Sequence, residues 1–258
     1  MPRETISVVT ICFNNLNDLQ KTCASVDAQV YLPIEHWIIN GSTNNEIENW
    51  LNTTPQPDYR KWLNERDNGI SEAFNKGISR SNGFIIHLLN AGDVYAGTDI
   101  LIKVARVFEL HPFVHWISGK MKIKRAGHWL EVGTPFRKSK LYRGMRGVFH
   151  PTWFVKKEVY DRNGLYSNHY KIAMDYDMMC RIYEERYAFI DKTFVVFDDS
   201  GVSTTNYLES LKQNIEVYES HFHFSFLCRA WQLRLKILYY LLQTKFGKWL
   251  FKVKNKID

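Results

Sequence analysis

The 258-residue chain has no apolar run of the roughly 18–20 residues that a membrane span needs. Its opening, MPRETISVVTICFNN, holds an apolar run too short and too poorly flanked for a signal peptide, so none is expected. Cysteine is scarce. Cys12, Cys23, Cys180 and Cys228 form neither a CxxC pair nor a zinc spacing. That excludes a disulfide framework and a zinc knuckle, and the four read as buried thiols of a reducing cytoplasm. The chain lacks GxGxxG and GxxxxGK[ST], so neither common phosphate-cradling loop is present. No internal repeat and no low-complexity linker divides it.

Apolar material is ample. Hydrophobic residues make up 45% and aromatics 15%, with eight tryptophans, so a packed core is expected and disorder is not. The net charge of +7 is unevenly placed. Residues 221–258 carry eight lysines and arginines against Asp258 alone, which accounts for the whole excess. Such asymmetry points to an anionic partner for the tail, a membrane surface or a nucleic acid. The first 220 residues are neutral and show no RNA-binding signature, which makes nucleic acid the weaker partner.

The first half alternates strand and helix. ISVVTICF at 6–13 is β-branched and nearly continuous, as a strand buried on both faces should be. Leu16, Leu19, Cys23 and Val26 then recur at helical spacing. IEHWIIN, a weaker RKWLN and GFIIHLL give three further strands, separated by NEIENWLN and GISEAFNKGIS as helices. This order implies an α/β fold with a mostly parallel sheet covered on both faces. HWISGKMKIK and HWLEVG read as an antiparallel hairpin, MDYDMMCRIYEERY as helix, and AFIDKTFVVFDD as strand. The expected organisation is one domain over residues 1–220 and a helical, aromatic, basic extension over 221–258.

Ligands of parallel α/β sheets bind outside the carboxyl ends of the strands. Phe13-Asn14, Asn40-Gly41, Glu65 to Gly69 and Asn90 to Asp93 all fall there. A diphosphate without a glycine-rich cradle usually needs a cation, and Mg2+ or Mn2+ takes only one or two carboxylates from the protein. Asp93 is the candidate metal ligand; the competing reading is a cap on the next turn.

ISVVTICFNN, EHWIINGSTNNEIENWL, NERDNGISEAFNKGI and GFIIHLLNAGD resemble, in order and spacing, the inverting family 2 glycosyltransferases. The similarity is strongest to the bacterial polysaccharide subgroup, and GVSTTN with the basic tail is similar to its colanic-acid transferases. The resemblance implies a GT-A fold with a small antiparallel sheet, and transfer of a sugar from a nucleotide-sugar donor. It assigns donor binding to Thr10, Phe13, Asn14, Asn40, Asp67, Lys76, Asn90 and Asp93. The divalent ion, Mn2+ or Mg2+, goes to Asp93. Two departures stand out: the usual Asp-Gly is Asn40-Gly41, and the usual DxD keeps only its last acid, Asp93.

Inversion is a single in-line displacement, so the acceptor hydroxyl must lose its proton to a base as it attacks. The resemblance assigns that role to Asp175, with Asp177 as runner-up; an N-cap is the structural alternative for either. His150 falls near acceptor and diphosphate, or is a loop histidine. Lys120 stands where relatives often carry Asp, and Arg143 and Arg146 either reach a diphosphate or are solvated loop charges. In the tail, Leu227, Trp231, Leu235, Leu238 and Leu242 recur at helical spacing between basic residues, the pattern of a membrane-interface helix. Trp231 is expected docked on the domain, with Lys245 to Lys256 facing lipid. The function expected is extension of a polyprenyl-diphosphate-linked oligosaccharide for O-antigen, capsule or exopolysaccharide, at the inner face of a bacterial cytoplasmic membrane. The alternatives are an inactive membrane-associated nucleotide-binding module and a nucleotidyltransferase.

Overall fold

The computed structural model describes residues 4–125, 127–197 and 206–244. Its elements follow the apolar periodicity. β1 (Ile6–Cys12), β2 (Ile34–Asn40) and β4 (Ile85–Leu88) are buried almost throughout, as continuous β-branched runs require. With β3 (Arg60–Asn64) they pair in parallel in the order β3-β2-β1-β4. Helices α1 (Leu16–Asp27), α2 (Glu46–Thr53) and α3 (Ile70–Arg80) connect them. β5 (Val94–Tyr95) and α4 (Ile100–Leu110) follow.

The second half extends the same sheet. β8 (Phe154–Lys156) runs antiparallel to β4, β6 (Trp116–Arg125) pairs with β8, and β9 (Tyr187–Phe197) runs parallel to β6 and antiparallel to β5. β7 (His128–Val132) closes the expected hairpin on β6. Short helices α5 (Lys157–Asn163) and α6 (Met174–Arg181) flank β8 and β9 in sequence. The sheet is therefore mixed, with apolar clusters on both of its faces.

Two helices end the described chain, α7 (Tyr207–Phe222) and α8 (Phe226–Gln243). The helical break falls at 223–225, just past the expected boundary at 220. α7 belongs to the body: Val217 is fully buried in the cluster that holds Met174, Tyr176 and Trp116. α4 and α7 stand outside the elements expected from sequence. The four cysteines are free and buried, and among the described residues no helix is long and apolar enough to cross a membrane. GVSTTN and the run Lys245 to Lys256 lie, but for Asn206, outside the described residues.

Gly77 shows how closely α3 lies on the sheet. A Cβ there would overlap Val9 Cγ1 and crowd Ile39. Alanine improves helix propensity by about 1 kcal/mol. Overpacking a filled core costs about 1–3 kcal/mol. Both neighbours, Val9 and Ile39, are themselves fully buried, so overpacking wins. Gly77→Ala should therefore lower the urea midpoint; an unchanged or raised midpoint would show that α3 can lift off the sheet freely.

Candidate active site

Parallel pairing puts the carboxyl ends of β1 to β4 on one rim. Cys12 faces Asn40 and Asn40 faces Asn64 in register, while Leu89 N and Ala91 N donate to Val9 O and Ile11 O. The chain after β1 is pinned to the chain after β2. Asn14, in left-handed backbone at φ 53°, accepts on its Oδ1 from Thr43 N (3.0 Å) and donates from Nδ2 to Thr43 Oγ1 (2.9 Å). Phe13 beside it is 60% exposed, so its ring is available for stacking on a base. Asn40 turns inward, donating to Asn64 Oδ1 (3.0 Å) and accepting from Ser42 N (3.1 Å). Its amide thus fixes the rim and is not open to a ligand. Asp67 packs over Gly41, where any Cβ would strike its carboxylate, and accepts from Gly69 N (3.0 Å).

Three expected donor residues, Asn40 among them, are engaged within the protein. Thr10 is fully buried, its hydroxyl 3.0 Å from His36 Nε2, because β1 buries both faces and this side chain points into the interior. Lys76 is held by Glu65 (2.7 Å), Glu72 (3.1 Å) and the carbonyl of Arg66 (2.6 Å). It braces the loop that carries Asp67 and is not free for a diphosphate.

Asn90 to Asp93 form a tight turn after β4. Gly92 adopts φ +107°, which favours glycine. Thr22 of α1 locks the turn: its Oγ1 accepts from Gly92 N (2.9 Å) and donates to Asp93 O (2.8 Å). Thr22 was not expected, although a threonine beside Leu19, Cys23 and Val26 on a buried helix face is the signal that marks it. Asp93 is only 3% exposed, and the next helix, α4, begins at Ile100 with Asp99 at its cap position. Burial pushes its carboxyl up to about 7. Its Oδ2 and the Oδ1 of Asn90 are buried without hydrogen-bond partners.

Among the described residues no cluster of three or more His, Cys, Asp or Glu side chains forms a metal cage. A hard divalent ion that draws its other ligands from phosphate and water needs no such cage. The two orphaned oxygens at Asn90 and Asp93 fit that donor set.

The opposite wall is built by the second half of the chain. β8 runs antiparallel to β4, so the 3-10 turn before it, His150–Thr152, lies at the end of β4. His87 Nε2 and Pro151 O, 2.9 Å apart, tie the two together. His150 Nδ1 lies 3.4 Å from Asp175 Oδ2. Asp175 sits in the first turn of α6, after Ala173 at the cap position, and makes no capping bond. Instead Gln213 of α7 caps that end, its Oε1 accepting from Ile172 N and Ala173 N at 3.1 Å each. Ser71, at the start of α3, touches Met174 Sδ (2.9 Å), joining the two halves of the rim. Burial raises the Asp175 carboxyl above the ordinary range, with His150 pulling the other way. Its Oδ1 and His150 Nε2 are both buried and unpartnered. Asp177, the runner-up, is occupied: Arg181 (2.8 Å) and His221 (2.8 Å) share its carboxylate and lock α6 to α7.

Lys120 is paired with Asp191 and Glu131 on the β6–β9 surface. The guanidinium of Arg143 lies 4.4 Å from the Trp231 ring, and that of Arg146 lies 6.0 Å from it.

The profile of glycosyl transferase family 2 matches residues 7–164. The chain belongs to glycosyl transferase family 2. An uncharacterized glycosyltransferase of Mycobacterium tuberculosis is 30% identical over 179 residues, 69% of this chain and 68% of that protein. Among solved structures, the mannosyltransferase PcManGT from Pyrobaculum calidifontis, in complex with GDP-Man and Mn2+, superposes with a TM-score of 0.63. It is 15% identical, and the match covers 99% of this chain and 81% of that one. S. aureus TarS 1-349 in complex with UDP-GlcNAc gives a TM-score of 0.62 at 15% identity, over 96% of this chain and 76% of that one. This chain spans 44% of the longer TarS structure. These likenesses show the GT-A fold.

The state of Asp93 has a thermodynamic signature. Its folded pKa stands above the unfolded value of about 3.9, so the native state holds a proton that the unfolded state has released. Stability therefore falls as pH rises from about 4 toward 7. At pH 8 without metal, Asp93→Asn should be more stable than the parent by about 1 kcal/mol or more, the scale of an unsatisfied buried group. The gain should vanish at about pH 4. Paired urea titrations check this; a variant less stable at pH 8 would mean that the carboxylate is already satisfied.

Proposed function

We propose that the protein moves a sugar, with inversion, from a nucleotide-sugar donor to a polyprenyl-diphosphate-linked oligosaccharide in bacterial surface polysaccharide synthesis. The observation that carries this reading is the pair of buried carboxylates with unpartnered oxygens, Asp93 just after β4 and Asp175 beside the His150 turn at the end of the same strand. The solved relatives with UDP-GlcNAc or GDP-Man and Mn2+ support a UDP- or GDP-linked donor and a divalent ion. Asp93 and Asn90 would hold that ion, which would supply positive charge against the departing diphosphate.

The chain's own residues do the rest. The Phe13 ring covers the base, and the Asn14–Thr43 clasp keeps the nucleoside cleft in shape. Asp175 Oδ1 takes the proton of the acceptor hydroxyl as that oxygen bonds to the anomeric carbon. The bond from that carbon to the diphosphate oxygen breaks, and the nucleoside diphosphate leaves. His150 Nδ1 orients the other carboxylate oxygen. Desolvation keeps Asp175 a stronger base than an exposed carboxylate.

Attachment to the inner face of the cytoplasmic membrane belongs to the same reading. α8 docks through Cys228, Gln232 and Leu235, while Phe226, Leu233, Ile237 and Leu241 form an exposed stripe on another face. Exposed apolar side chains beside basic ones suit the boundary of an anionic leaflet.

The decisive experiment offers UDP-, GDP- and dTDP-sugars with and without Mn2+ and a polyprenyl-diphosphate-sugar acceptor. Release of one nucleoside diphosphate is expected. Release of inorganic diphosphate would instead mark a nucleotidyltransferase, and no release an inactive module. Asp175→Asn should abolish turnover while donor binding persists; loss of both together would remove Asp175 from the role of base. Activity requires ionised Asp175, so the acid limb of kcat/KM should lie above the ordinary carboxylate range. His150→Ala removes the influence that lowers that pKa and should move the limb to higher pH still.

The membrane reading has its own check. The full chain should sediment with vesicles containing anionic phospholipid, less so at high salt, and Leu233→Glu with Ile237→Glu should weaken this strongly. Undiminished sedimentation of that double variant would move the contact away from α8.

A further inference from the structure

Beside the base helix lies a cleft of about 240 Å3 between the chain after β7, the 3-10 turn Lys138–Arg143 and α6. Phe136, Val148 and Met179 supply apolar lining, and Arg137, Lys140 and Arg146 supply charge. No acidic side chain lines it, and none of the three cations has an ion pair among the described residues. Their neighbour Lys138, by contrast, is neutralised by Glu184 (2.6 Å). All three residues are exposed and line the same hollow, so their positive charge sums over any anion that enters it.

The loop that presents them is built firmly. Gly147 has φ +78°, and a Cβ there would overlap the Thr134 hydroxyl. That close approach lets Thr134 N donate to Gly147 O (2.6 Å). Leu141 O accepts from Tyr176 Oη (2.6 Å) on α6, and Gly144 packs against Asn214 of α7. The cleft is also next to the chemistry. Met179 is one helical turn beyond Asp175, and Val148 is two residues before His150. Its outer side meets α8, where Trp231 faces Arg143 and Arg146.

We propose that Arg137, Lys140 and Arg146 form a subsite for the diphosphate of a polyprenyl-diphosphate-linked acceptor. This rests on the transferase reading and names the part of the acceptor that the protein grips. The volume falls below the roughly 300–1,000 Å3 of sites that enclose drug-sized ligands, so it suits a headgroup and not a whole nucleotide-sugar. Donor diphosphate is already served on the other wall, by Asp93. A polyprenyl diphosphate carries its charge at the membrane boundary, where α8 presents its apolar stripe. Anchoring the diphosphate there sets the attached sugar beside Asp175.

Arg137→Ala with Lys140→Ala in the full chain tests this. With the diphosphate-linked acceptor, acceptor KM should rise about tenfold or more, the scale of one lost charge-assisted hydrogen bond. Donor KM and kcat should hold, and Arg137→Lys with Lys140→Arg should restore most of the loss. With the same oligosaccharide on an uncharged alkyl group, the alanine double variant and the parent should coincide. Equal losses on both acceptors, or a rise in donor KM, would overturn the subsite.

Calorimetry with farnesyl diphosphate, a short soluble polyprenyl diphosphate, reads the cleft without catalysis. Binding that the alanine double variant loses, and that UDP and GDP do not displace, supports the subsite even if no sugar is ever transferred. Displacement by UDP or GDP would assign the cleft to the donor and overturn it. Active transfer without farnesyl diphosphate binding would overturn the subsite and leave the transferase standing.

Discussion

The site depends first on the parallel register of β1 with β2 on one side and β4 on the other. Parallel strands end together, so their unsatisfied carboxyl-terminal turns form one continuous polar rim. From that single constraint come the Asn14–Thr43 clasp, the Asn40–Asn64 bridge and the Asn90–Asp93 turn. The antiparallel entry of β8 beside β4 then folds the chain's second half back onto the same edge. That reversal is what brings the turn carrying His150 to the carboxyl end of β4, with Asp175 beside it.

Desolvation does similar work on both walls. Asp93 and Asp175 each have a carboxylate oxygen without a partner, and burial raises both carboxyls. The two differ in what stands next to them. Asp175 has the His150 imidazole 3.4 Å from one of its oxygens. Asp93 has a neutral amide and backbone around it, and no ion pair among the described residues meets its charge. Asp177 shows the contrast: with arginine and histidine both in place, its carboxylate is spent on holding α6 against α7.

Much of the frame was legible because its strands are uniform runs and its helices have clear apolar faces. The parallel half, the hairpin of β6 and β7, the helix carrying Asp175 and the polar rim all follow from period and position. Thr10 was not legible. A strand buried on both faces has no alternation, so nothing in ISVVTICF tells which side chains look toward the rim and which inward. Lys76 failed for another reason: its neutralisation needs Glu65, which arrives through the fold, as well as Glu72 one turn away in sequence. Thr22 and Gln213 act at a distance, a hydroxyl locking the Asp93 turn and an amide capping the Asp175 helix, and only packing reveals such partners. The family resemblance supplied Asp175 and His150, and the coordinates show Asp177 paired with Arg181 and His221.

The same packing ties the end of the chain to its chemistry. α7 caps α6 through Gln213 and grips it through His221, and α8 lies on α7 and on the cationic loop through Trp231. A helix that met only lipid would need no contact with Arg143 and Arg146. A helix that met only the body would have no use for Phe226, Leu233, Ile237 and Leu241 in water. α8 touches the body through Trp231 and keeps its other face exposed, so the cationic cleft and the apolar stripe are held in one fixed relation. On the proposed reading, the carboxylate that accepts the proton, the loop that grips the anion and the helix that meets the membrane form one mechanical unit.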